Sequence, residues 1–160
     1  MKRKLSSDLS LYFTSNYPKS FAKSYKSNYV VIGIGGNVGN VKRVFDKLFL
    51  SLQGDCRFDI IKSSPILKNP PFGFLDQDDF LNAVLLLKTN LSPKASLRAF
   101  QRMENRFKRK RSFKDAPRTL DIDIIFYNDL KLTTKDLVIP HPHWYKRESV
   151  TIPLSYVLDQ

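Results

Sequence analysis

The sequence predicts an α+β fold on three observations: short β-branched runs recur along the chain, two amphipathic helices separate them, and the order reads β-α-β-β-α-β. That order is the ferredoxin-like arrangement, in which an antiparallel sheet carries its helices packed against it, here with small C-terminal additions. The fold class alone says little about function.

The first strand is expected over Tyr29–Ile34, followed at once by Gly35-Gly36-Asn37-Val38-Gly39-Asn40. Val41, Val44, Phe45, Leu48, Phe49 and Leu52 then fall on one helical face, with Asn40 as N-cap and Gly54 as terminator. A glycine-rich turn before a helix is able to bind phosphate, but this one lacks the Lys-Ser/Thr ending of a P-loop and the spacing of a dinucleotide fingerprint. A tight reversal or a close backbone approach is the plainer reading.

Arg57–Leu67 reads as the second strand, and Lys68–Asp79 as a loop, because Pro70, Pro71 and Gly73 cannot continue a ladder. Phe72 and Phe74 in that loop either anchor it or face a planar ligand. The strand Phe80–Lys88 holds one polar misfit, Asn82, whose amide is suited to a heterocycle's donor and acceptor edge. Ser92-Pro93 opens a helix as N-cap and N1, running to about Phe107 with Leu97, Phe100, Met103 and Phe107 inward. Gln101 and Glu104 share a face on it.

The next strand carries the chemistry. In Ala116–Phe126, Leu120, Ile122 and Ile124 alternate with Asp121 and Asp123, so both carboxylates point to one face, their α-carbons roughly 6.5 Å apart. On the alternation alone the plainer reading is two aspartates facing water on a sheet surface, although like charges on one strand face repel and Asp is a poor strand former. Upstream, seven of the thirteen residues Arg106–Arg118 are basic. Carboxylates beside guanidinium groups suit a polyphosphate carrying magnesium. A turn at Asn128-Asp129, a small strand near Leu130–Leu132 and a short apolar helix over Val150–Leu158 complete the domain.

Composition sets the outer bounds. With 160 residues and a 42% apolar fraction, the chain supports one core. Residues 29–160 are expected to form that single domain, preceded by a basic extension over 1–28. The extension is read either as a solvated tail or as a docked segment in which Phe13, Tyr17, Phe21 and Tyr25 make a helical stripe. The formal charge of +12 favours anionic partners without choosing among them. Cys56 is the single cysteine, which excludes an intrachain disulfide, and no apolar run reaches membrane-spanning length, so a cytoplasmic protein without membrane association is expected.

Taken in order, the motifs resemble those of the 6-hydroxymethyl-7,8-dihydropterin pyrophosphokinases of folate biosynthesis. The resemblance covers about residues 30–154: the Gly-Gly-Asn turn, Pro70-Pro71-Phe72-Gly73, Asp79-Phe-Leu-Asn82, Gln101-Arg-Met-Glu104, Arg109-Lys-Arg111, Pro117-Arg-Thr-Leu-Asp-Ile-Asp123, and Pro140-His141 with Arg147. Pro-Arg-Thr-Leu-Asp-Ile-Asp is the specific motif; the others count through their shared order. The resemblance implies transfer of pyrophosphate from ATP to the pterin alcohol, with AMP leaving. It implies that Asp121 and Asp123 hold two magnesium ions, that Arg109 and Arg118 contact phosphates, and that Arg111 and Lys114 assist. Gln101, Glu104 and His141 would lie along the nucleotide. Asn82 would read the pterin edge, Phe72 and Phe80 would line its pocket, and Gly36 and Pro70 would border it.

The chain departs from the family pattern at Lys108, where the family has Gly, at Asp115-Ala116 in place of Trp-Gly, and at Ser149 in place of an aromatic. With Ser149 there, Trp144 or Tyr145 is the expected second stacking ring. ATP and hydroxymethyl-dihydropterin are the expected partners, and a monomer is compatible with this chemistry. The rival reading is a single-stranded nucleic-acid module on a ferredoxin-like sheet. Against it, such a sheet needs exposed aromatics where this one places Asp121 and Asp123. Nucleic acid is therefore not an expected partner.

Overall fold

The computed structural model describes residues 1–21, 23–107, 115 and 117–158. Strands β1 (Lys2–Lys4), β2 (Ser10–Tyr12) and β3 (Lys19–Ser20) come first, then β4 (Asn28–Gly36) and helix α1 (Val41–Gln53). They are followed by β5 (Phe58–Ser63), β6 (Ile66–Asn69), β7 (Phe80–Thr89) and α2 (Pro93–Arg106). Next come β8 (Asp121–Tyr127), β9 (Leu132–Thr133), β10 (Val138–Ile139), a 3-10 turn at Trp144–Lys146 and α3 (Glu148–Leu158).

The main sheet is antiparallel throughout, ordered β1-β2-β6-β7-β4-β8, with β5 also on β7 and β3 on β5. This is the expected ferredoxin-like order, β4 lying between β7 and β8. The anticipated strand Arg57–Leu67 is instead two strands, because Pro65 interrupts it: Ser64 donates from its N–H to Val84 O at 2.9 Å and β6 resumes on the far half of β7. Asn40 and Ser92 cap α1 and α2 as expected, accepting from Arg43 N and Ala95 N.

Alternation along the strands divides the apolar residues between two faces. Val30, Ile32, Ile34, Leu85, Ile122 and Ile124 face α1 and α2 and form the main core with Phe45, Phe49, Phe100 and Met103. The opposite face carries a smaller cluster in which Val31, Val84 and Ile125 meet Leu154 and Val157 of α3. Since α3 covers only part of that face, the remainder is left for a cavity.

Residues 1–28 hold no helix among those described. Leu11 on β2 and Tyr17 in the bend after it are fully buried while Tyr25 is 99% exposed, which a helical stripe of period four would not produce. Strand β2 extends the sheet beyond β6, pairing Leu11 with Leu67 and Tyr12 with Ile66. Tyr17 lies against Phe45 and Phe49 of α1, and its hydroxyl donates to Phe45 O at 2.8 Å. No helix among the described residues is long and apolar enough to cross a membrane.

Candidate active site

The floor of the site is a row across three strands. Asp121 of β8 and Asn82 of β7 both stand opposite Gly35 of β4, and Asp123 stands opposite Gly33. With Ile122 and Ile124 committed to the core, both aspartates face the other side of the sheet. Glycine between them leaves bare backbone where a side chain would otherwise fill the space. A β-carbon on Gly35 would lie 2.5 Å from Asn82 Oδ1, so the Asn82 amide reaches across that glycine.

Above this floor is an open cavity, with Asn82, Arg118, Asp121 and Asp123 on its wall alongside Phe72 and Phe80. His141, Arg147 and Ser149 close it from the C-terminal side. Arg118 Nη1 pairs with Asp121 Oδ2 at 3.0 Å, and its guanidinium lies 5.4 Å from the Phe80 ring centre. Arg147 lies 5.6 Å from the Phe72 ring centre. Each aromatic of the cavity therefore carries a cation beside it.

The Gly-Gly-Asn turn grips protein backbone at this point. A β-carbon on Gly36 would lie 2.5 Å from Thr119 O. Asn37 and Val38 donate their N–H groups to Arg118 O at 2.9 and 3.2 Å, while Asn37 Oδ1 accepts from Arg118 N at 3.0 Å. The other end of the same amide donates to Gln77 Oε1 and Asp78 O, both at 2.9 Å. Gln77 in turn donates to Asp115 O at 2.9 Å. One buried asparagine thus joins the Pro/Gly loop to the segment that presents Arg118. Sequence reasoning missed Asn37 and Gln77; the available signal was an amide directly after two glycines, whose partners lie 40 and 81 residues away.

The remaining sequence-predicted residues divide. His141 lines the cavity, and its N–H donates to Ile125 O at 3.0 Å. Its pKa is held below the usual histidine value, first by burial and then by the charges of Arg147 and His143, with Asp121 opposing. Its Nδ1 accepts from His143 N at 3.3 Å, so the neutral ring carries its proton on Nε2. Glu104 is buried under β8, where Oε1 accepts from Ile122 N at 2.7 Å and supports the strand between the two aspartates. Gln101 is exposed on α2 and is not part of the cavity wall. The Pro70 carbonyl accepts from Asn69 Nδ2 at 3.0 Å, and neither Pro70 nor Gly36 is part of the cavity wall.

Trp144 does not face the cavity as expected. It packs on Phe126 with ring centres 5.0 Å apart, beside the apolar cluster under α3, while Tyr145 is exposed and absent from the wall. The apolar face of α3 recruits the indole. Arg109, Arg111 and Lys114 lie outside the described residues.

Among the described residues no group of three or more His, Cys, Asp or Glu side chains could hold a metal alone. Asp121 and Asp123 fit a different mode, in which magnesium takes one or two carboxylates and fills its remaining positions with phosphate oxygens and water.

A family model described as 7,8-dihydro-6-hydroxymethylpterin-pyrophosphokinase matches residues 31–159. A 2-amino-4-hydroxy-6-hydroxymethyldihydropteridine pyrophosphokinase of Helicobacter pylori is 45% identical over 142 residues, which is 87% of this chain and 87% of its relative. Proteins of the same name from Campylobacter jejuni and Bacillus subtilis are 43% identical over 127 residues and 33% identical over 134. The first alignment covers 79% of this chain and 81% of its relative, the second 84% and 80%. With the fold, the paired aspartates and these matches in agreement, the chain belongs to the 7,8-dihydro-6-hydroxymethylpterin-pyrophosphokinase family.

Proposed function

We propose that this cavity transfers a pyrophosphoryl group from ATP to the hydroxymethyl group of 6-hydroxymethyl-7,8-dihydropterin, releasing AMP. The observation that carries the reading is that Asn82, Gly35 and Asp121 form one row across the sheet, with Arg118 and Asp123 on the same cavity wall. A planar heterocycle is accommodated over Gly35, its edge on the Asn82 amide and its rings beside Phe72 and Phe80. In this arrangement its hydroxymethyl oxygen would point toward the aspartates.

In the reaction the alcohol oxygen bonds to the β-phosphorus, the bond from that phosphorus to the oxygen leading to the α-phosphate breaks, and AMP departs. The alcohol's proton passes to solvent. Such transfers depend mainly on position and on neutralising charge. Asp121 and Asp123 would hold the magnesium, which when bound supplies positive charge across the phosphate oxygens. Arg118 supplies charge-assisted hydrogen bonds to phosphate, held ready by Asp121 on one side and Asn37 on its backbone. His141, neutral with its proton on Nε2, donates to a phosphate oxygen without adding a full charge. Arg109, Arg111 and Lys114 are assigned supporting phosphate contacts, and Gln101 a place along the nucleotide.

Incubation with ATP, magnesium and the dihydropterin should yield AMP and pterin pyrophosphate in equal amounts. ATP hydrolysis that does not depend on pterin, or no AMP at all, would overturn the reading.

A further inference from the structure

Asn69 ends β6, is 4% exposed and sits on the cavity wall next to Asn82. Its Oδ1 accepts from Asn82 Nδ2 at 2.6 Å, and its own Nδ2 donates to Pro70 O at 3.0 Å. The order of these bonds has only one solution. A backbone carbonyl accepts and never donates, so the Asn69 nitrogen must face Pro70. Its oxygen then faces Asn82, which must answer with its nitrogen. The Asn82 oxygen is left turned toward Gly35, where a β-carbon would meet it at 2.5 Å.

We infer that Asn69 is a positioning residue that sets the polarity of the Asn82 amide and so decides which heterocycle edge the cavity accepts. The inference rests on the reading that a pterin occupies the floor above Gly35. With one N–H of Asn82 held by Asn69, the ligand meets an acceptor oxygen beside a single remaining N–H. That pair matches a 2-amino-4-oxo ring, whose lactam offers an N–H next to a carbonyl. It opposes a 2,4-diamino ring, which has a bare ring nitrogen where the lactam has its N–H. Without Asn69 the Asn82 amide is free to turn over, and both edges find partners.

The neighbouring extension supports the same element. Strand β6 is held between β7 and β2, with Ser10 paired to Lys68 and Leu11 to Leu67. Asn69 therefore presents its amide from a strand hydrogen-bonded on both sides up to the adjacent residue.

The test uses two non-reacting probes, 6-hydroxymethylpterin and 2,4-diamino-6-hydroxymethylpteridine, titrated with a non-hydrolysable ATP analogue and magnesium. The wild type should favour the oxo ring by at least ~10-fold, because a site that hydrogen-bonds one edge leaves its buried polar groups unpaired against the other. Asn69→Ala should bring the two affinities to within ~3-fold. Asn69→Asp, which can only accept from Asn82, should restore the preference. An unchanged ratio in Asn69→Ala overturns the positioning role while leaving the pterin site standing. A wild type that binds neither probe overturns the site reading and this inference with it.

Should Asn69→Ala fail to fold, the unliganded wild type still decides the matter. Nitrogen-labelled spectra should show one Asn82 side-chain proton shifted downfield and protected from solvent exchange. Two equivalent, rapidly exchanging protons there would overturn the inference.

Discussion

Gly36 and Thr119 meet as bare backbone: a β-carbon on Gly36 would stand 2.5 Å from the Thr119 carbonyl oxygen. The contact fixes the path of the chain just after Arg118, whose own carbonyl accepts from Asn37 and Val38. Gly36→Ala must therefore push the Arg118 segment away from β4. Overpacking of this kind costs about 1–3 kcal/mol. Displacing a phosphate contact by about 1 Å costs on the order of 100-fold in rate. Turnover and thermal melting of the variant should both fall, with the loss of turnover much the larger.

Asp121→Asn and Asp123→Asn should each reduce AMP formation by more than ~100-fold while circular dichroism remains that of the wild type. The two differ in one respect. Asp121 also pairs with Arg118 at 3.0 Å, so its replacement releases that guanidinium as well. Asp123→Asn turning over at the wild-type rate in magnesium would sink the two-carboxylate arrangement.

Arg118→Ala should lower turnover by roughly 100–1000-fold, the usual result of removing a donor aimed at developing charge. Pterin affinity should move much less, since the edge is read by Asn82. Arg118→Lys should recover only part of the loss, because an ammonium cannot both pair with Asp121 and present a planar fork to phosphate. Pre-steady-state measurement of the chemical step, alongside pterin titration, separates the two effects.

His141 leads to a prediction about pH. Its folded pKa lies below 6.5, mainly through burial, so between the folded and unfolded values the unfolded chain binds the extra proton. The stability contributed by a neutral His141 is complete above the unfolded pKa. It falls as pH drops from there to the folded value, then levels off. His141→Gln should flatten that part of the stability curve, as measured by urea unfolding at a series of pH values. An unchanged slope would show that another group controls it.

The extension should behave as part of the folded domain in unfolding experiments. Tyr17→Phe removes the hydroxyl's bond to Phe45 O and should cost about 1 kcal/mol. Leu11→Ala, at a fully buried position, should cost about 2–5 kcal/mol. Both should appear in a single cooperative transition. Loss of the extension's signal at lower denaturant than the rest would mean that it unfolds separately.

The sequence by itself determined what depends on neighbours a few residues apart. Period-two alternation placed Asp121 and Asp123 on one face of a strand, helical spacing gave α1 and α2 their buried sides, and Asn40 and Ser92 announced the helix starts. Those signals are local because backbone geometry repeats every two or 3.6 residues. Only the tertiary structure decided matters settled across the sheet. Leu11 finds its partner in Leu67, Asn37 joins two loops far apart in the chain, and Glu104 serves the backbone of Ile122. Trp144, one of two candidates by sequence for the second stacking ring, packs instead under α3. Such choices follow from the strand order, which sets which side chains meet, and from the need of each buried polar group for a partner. The cavity floor shows both at once: an asparagine, a glycine and an aspartate from three separate motifs become a single row when β7, β4 and β8 pair.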